Sequence, residues 1–119
     1  NPKHAPYGRA ARQLLEGLGA WSTSQKKLAI GESATQALQF VMTGGADAAL
    51  LPLSLAGVPQ VAQRSRYVVV DESLYSPLKH RMVLTVTGNL KEREFFEFMS
   101  STFARDALGR AGFKLPVTP

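Results

Sequence analysis

Residues 27–51 read KLAIGESATQALQFVMTGGADAALL. KLAI (27–30) is a short apolar run of strand character. GES then turns the chain, and Ser33 is a natural N-cap for a helix over 34–43. Ala34, Ala37, Leu38 and Val41 fall at i, i+3, i+4 and i+7, one apolar stripe along that helix. Gly44 and Gly45 stop it. ADAALL (46–51) is apolar almost throughout, which suits a strand covered on both faces, and Pro52 ends it. Strand, helix, strand at this spacing predicts a parallel α/β sheet.

The flanking sequence extends the pattern. Ala11, Leu14, Leu15 and Leu18 recur at helical spacing over 7–18, with Pro6 in the tolerated first-turn position and Gly17 and Gly19 at the exit. LSLAGVPQVAQ (53–63) carries Gly57 and Pro59 and has room for a short helix only. RYVVVD (66–71) and RMVLTVT (81–87) are β-branched and predict two further strands, joined by the polar ESLYSPLKH. Gly88 and Asn89 open a helix over 90–99 with Phe95, Phe98 and Met99 on its apolar side. Thr102 is placed to cap a last helix, 103–111, that turns Phe103, Ala107, Leu108 and Ala111 to the core. Helices alternate with strands up to about residue 88, and everything after it is helical.

Composition narrows the function classes. The chain has 119 residues, 45% hydrophobic and 19% charged, enough for one domain with a core. No run approaches the roughly 18–20 apolar residues of a membrane span. No signal-peptide pattern stands in it, as holds for any processed or truncated chain. With no cysteine, thiolate catalysis, disulfides and cysteine zinc sites are excluded together. The net charge is +5, but Lys26-Lys27 is the longest basic run. A nucleic-acid footprint gathers its lysines and arginines on one face, so nucleic acid is not an expected partner, while a small anion is compatible.

Two helix starts stand out chemically. At HAPYG (4–8), Pro6 has no N–H, so Tyr7 supplies the first backbone donor of its helix. At GESAT (31–35), the amides of Ala34 and its neighbours point outward from the cap. Helix N-termini carry unsatisfied donors and partial positive charge, so two converging ends hold an oxyanion without lysine or arginine. Almost every helix has such an end, and taken singly each means only a capped helix. His4 and His80 lack metal-ligand spacing, and Ser33 or Ser54 with His4 and Asp47 forms a triad on paper only, without a nucleophile elbow. Asp71, Glu72 and Glu32 form no acid–base pair, and the glycine-containing segments match neither a dinucleotide fingerprint nor a P-loop. No enzymatic activity, direct metal site or cofactor is expected.

The stretches NPKHAPYGRAARQLLEGLGAW, KLAIGESATQALQFVMTGGADAALLPLSL, LYSPLKHRMVL and FFEFMSSTFARDALGRAGFKLP resemble, in that order, the second half of periplasmic molybdate-binding proteins, the substrate receptors of ABC-type importers. The resemblance implies an α/β chain: the second lobe of a type II periplasmic-binding-protein-like fold. Residues 1–87 would form that lobe without its first strands, and 88–119 a C-terminal helical segment packing on an absent first lobe. It implies molybdate or tungstate bound in an interlobe cleft, with Tyr7 and Ala34 donating backbone N–H groups and Ser33 a secondary candidate. It implies delivery to a membrane permease from the periplasm. Some relatives place a tyrosine hydroxyl on the anion where this chain has Pro52, which donates nothing. Helices without their partner lobe would dock elsewhere, form a fragment dimer or swap between chains. The alternatives are a receptor for sulfate or another oxyanion, and the ligand-sensing domain of a transcriptional regulator.

Overall fold

The computed structural model describes residues 1–116. The chain divides into two compact units, Asn1–Leu78 and Lys79–Pro119. Among the described residues the regular elements are all helical. They are α1 (Pro6–Gly17), α2 (Trp21–Ser24), α3 (Ala34–Met42), α4 (Leu53–Ala56), α5 (Pro59–Ala62), α6 (Leu90–Phe98) and α7 (Thr102–Arg110), with 3-10 turns at Gln25–Lys27 and Glu72–Leu74. Among the described residues no helix is long and apolar enough to cross a membrane.

In the first unit α1 begins on proline and ends where Gly19 takes a left-handed φ of 65°. That conformation lets Gly19 and Ala20 donate back to Glu16 and Leu15 at 3.0 and 2.8 Å, which satisfies two terminal carbonyls. Leu14 is the buried residue of α1, while Leu18 is 60% exposed. Arg12 lies 5.0 Å over the Trp21 ring and 2.7 Å from Glu16, so it ties α1 to α2 through its guanidinium face. The 53–63 segment folds as two single turns, α4 and α5, broken at Gly57 and restarted by Pro59. Ala56 and Val61 are buried there.

The strands expected at 27–30, 46–51, 66–71 and 81–87 are not formed among the described residues, so the α/β layer is not seen. The reason is physical. A helix closes its bonds locally, whereas a parallel strand exists only when a distant segment supplies its ladder. Among the described residues no segment pairs with them, and Val68, Val69, Val83 and Val86 stand 89, 65, 82 and 98% exposed.

In the second unit Asn89 and Glu92 form a capping box at α6. Glu92 N–H donates to Asn89 Oδ1 at 3.1 Å, and Asn89 N–H donates to Glu92 Oε2 at 2.9 Å. The cap of α7 is Ser101 rather than Thr102, with Ala104 N–H donating to its Oγ at 3.3 Å. Phe95, Phe98 and Phe103 were expected in the core. They are instead 59, 45 and 70% exposed, and form a row with ring centroids 6.4 and 6.1 Å apart. Among the described residues α6 buries no side chain and α7 only Ala104, and the aromatic row has no covering layer.

Candidate functional site

The two helix starts singled out from the sequence both lie in the first unit. At α1, Ala5 is the N-cap, extended at φ −99° and ψ 137°, with no side-chain cap. Pro6, Tyr7 and Gly8 are therefore the first three helical residues. The preceding five residues fold back on this turn. Lys3 N–H donates to Asn1 Oδ1 and Ala5 N–H to Asn1 O, each at 2.9 Å. The main chain of Asn1 and Pro2 lies so close to Gly8 that a Cβ there would overlap the Asn1 carbonyl and sit 2.6 Å from Pro2 N. Glycine is thus required at position 8 by contact. Tyr7 is half-buried.

At α3, Ser33 is the N-cap, extended at φ −136° and ψ 163°. Gln36 N–H donates to its Oγ at 3.1 Å, and the Gln36 side chain reaches back to accept from Glu32 N–H at 2.7 Å. This is a shifted capping box, closing on the residue before the cap. A serine hydroxyl accepts and donates, so capping leaves the Ser33 O–H hydrogen uncommitted. Ala34 is the first helical residue, half-buried. Its amide and that of Thr35 make no hydrogen bond among the described residues, as first-turn amides do in any helix without a ligand. Ala34 and Ser33 make no hydrogen bond to α1. Helix α1 packs on α2 and on the 72–74 turn.

That turn is the unforeseen part of the region. Asp71 caps it, accepting from Ser73 N–H at 2.9 Å. The bonds from the Ser73 backbone and side chain hold the Asp71 carboxyl below the ordinary aspartate range. Beyond it, Gln13 Nε2 donates to Ser76 Oγ at 3.2 Å, and Ser76 N–H donates to Gln13 Oε1 at 2.9 Å. Nothing in the sequence marks this pair. Both residues are polar and exposed and belong to no motif.

Pro52 is the N-cap of α4 and offers only its carbonyl, which accepts from Leu55 and Ala56 at 3.0 and 3.2 Å. Among the described residues no hydrogen bond joins Ser33 or Ser54 to a histidine, or His4 to Asp47, and no group of three or more acidic or histidine side chains gathers for a metal. The chemistry present at the two helix starts is donation: main-chain N–H groups and one hydroxyl, in a chain of net charge +5. Such a set suits a fully deprotonated oxyanion.

The family model of bacterial extracellular solute-binding proteins matches residues 1–114. The chain is 31% identical over 117 residues to the molybdate-binding protein ModA of Rhodobacter capsulatus, covering 95% of this chain and 44% of that one. It is 32% identical over 117 residues to the molybdate-binding protein ModA of Azotobacter vinelandii, covering 97% and 46%. A putative ABC transporter substrate-binding lipoprotein of Bacillus subtilis, YvgL, is 27% identical over 117 residues, covering 94% and 43%. The chain thus spans less than half the length of these curated relatives. No solved structure matches it significantly. With 114 of its 119 residues inside one family match, the chain belongs to the bacterial extracellular solute-binding proteins.

Proposed function

We propose that this chain is part of a receptor that captures molybdate, and tungstate with it, and delivers the anion to an ABC importer. The observation that carries the reading is the similarity over 117 residues to two proteins named as molybdate-binding, at 31 and 32% identity. The helix starts supply compatible chemistry. Tyr7 and Ala34 each offer a main-chain N–H in a first turn, and Ser33 adds a hydroxyl hydrogen. Amides do not titrate and cannot accept, so they favour an anion with no proton to give. Charge cannot separate molybdate from sulfate, since both are tetrahedral dianions; the size of the site does.

In this reading residues 1–87 contribute the second lobe of a two-lobed α/β receptor and 88–119 a C-terminal helical segment. The remaining ligands come from a first lobe outside this chain. Closure of the lobes on the anion signals occupancy to a permease at the membrane, from the periplasmic side. No bond is made or broken, so the protein is a carrier and not an enzyme.

Calorimetric titration of the protein in its full natural length with molybdate, tungstate and sulfate tests this. Molybdate and tungstate are expected to bind at least about a hundredfold tighter than sulfate, a difference of about 2.7 kcal/mol. Tighter sulfate binding would move the protein to the sulfate receptors, and no heat with any of the three would end the oxyanion reading.

A further inference from the structure

We propose that Gln13 is a positioning residue for anion capture: clasped to Ser76, it fixes the angle at which α1 presents its first-turn amides. This rests on the oxyanion reading above and adds a residue that the reading does not contain.

Three consecutive residues attach α1 to the rest of its unit, each differently. Arg12 lies over Trp21 at 5.0 Å, Leu14 is buried, and Gln13 exchanges two hydrogen bonds with Ser76 at 3.2 and 2.9 Å. The cation–ring contact and the apolar contact are tolerant of direction, since neither has a sharp angular optimum. The two-way amide clasp is not tolerant, because both its bonds weaken steeply once they bend. Of the three attachments it is the one that sets orientation.

The lever is short but sufficient. Tyr7 is six residues before Gln13, about 9 Å along the helix axis at 1.5 Å per residue. A tilt of about 10° about the attachment moves the Tyr7 amide by roughly 1.5 Å, several times the spread of good N–H···O distances. The cost therefore falls on the anion, which needs donors from more than one element at once, and little of it on folding. Ser76 is itself held in place, since the Asp71-capped turn at Glu72–Leu74 precedes it and packs on α1.

The test compares Gln13→Leu, Gln13→Glu and Ser76→Ala in the protein at its full natural length. The readouts are molybdate titration, the thermal midpoint without anion, and amide shifts of Tyr7 and Gly8 on adding molybdate. Leucine fills the volume and removes both bonds. Glutamate keeps both, accepting from the Ser76 N–H and hydroxyl. Ser76→Ala removes one. The expected result is molybdate binding weaker by about three- to tenfold in Gln13→Leu, by about half that on a logarithmic scale in Ser76→Ala, and within about twofold of the parent in Gln13→Glu. The anion-free thermal midpoints should differ by no more than the few degrees that about 1 kcal/mol represents, while the Tyr7 and Gly8 shifts shrink in Gln13→Leu. Parent-like affinity in both Gln13→Leu and Ser76→Ala overturns the proposal alone. So does a loss in Gln13→Leu that Gln13→Glu shares or that follows the thermal midpoint. A parent protein that takes up no molybdate overturns the oxyanion reading and this proposal with it.

Discussion

Gln13 and Ser76 exchange two hydrogen bonds across 63 residues of sequence, at 3.2 and 2.9 Å, with both side chains at the surface. An exposed pair of neutral bonds adds about 1 kcal/mol, so its mark is local. Gln13→Ala is expected to raise hydrogen exchange at the Ser76 amide by about fivefold while distant amides of α1 change little. Unchanged exchange at Ser76 would show that the clasp is absent in solution.

Ala34 stands at the first position of α3 behind an extended Ser33. Proline is at home there, since its φ suits a helix start and the residue before it is already extended. Ala34→Pro thus deletes one N–H and leaves the helix intact. The thermal midpoint should hold or rise slightly, with molybdate affinity of the full natural-length protein lower by about ten- to a hundredfold, the value of one charge-assisted hydrogen bond. An affinity equal to the parent's removes Ala34 from the site.

Ser33 both caps α3 and offers a hydroxyl hydrogen. Aspartate separates the two roles. Ser33→Asp still caps and adds charge favourable to the helix end, so the helix should be stabilised by about 0.3–1 kcal/mol. It also places a carboxylate where the proposed reading seats a dianion. Molybdate binding should fall at least about tenfold while the thermal midpoint without anion rises. Binding that survives this change puts the anion elsewhere.

Gly8 touches the main chain of Asn1 and Pro2. Gly8→Ala gains about 1 kcal/mol of helix propensity and detaches the 1–5 turn, losing the Ala5-to-Asn1 bond for about the same amount. Stability should be nearly unchanged, and the loss should appear as faster exchange at the Ala5 amide and weaker anion binding. A crystal structure of Gly8→Ala with the turn still seated would refute the contact argument.

Asp71 accepts from Ser73 and its carboxyl lies below the ordinary aspartate range. A depressed folded value means that the stabilisation is fully present above the unfolded value, near 3.9, and is lost as pH falls through the folded one. Asp71→Asn keeps an acceptor for Ser73 but cannot ionise. The stability advantage of the parent over Asp71→Asn should be constant above about pH 4 and vanish in more acid solution. A difference that persists through the acid range would mean that the cap does not act through charge.

The long helices were legible from local chemistry. Pro6, Ser33 and Asn89 mark starts that the structure keeps, and Gly19 and Gly44 mark ends. The shift from Thr102 to Ser101 at α7 is a choice between adjacent hydroxyls, which local rules leave open. Strands depend on partners far along the chain, and β-branched runs such as 68–70 state a preference without supplying a ladder. The phenylalanine row of α6 and α7 shows the same limit, since periodicity reveals an apolar face but not what covers it. Both helix starts of the candidate site were visible as donors. The clasp between Gln13 and Ser76 was not, because two polar surface residues 63 apart leave no pattern.

The extended Ser33 and the helix that follows it place a donor at position 34 through backbone shape. Almost any residue can stand there and still present the same N–H. A site of this kind is inherited as a path of the chain and not as a list of side chains. Side chains at such a position can therefore drift without loss of the donor, while proline alone, the one residue with no amide hydrogen, would remove it at a single step.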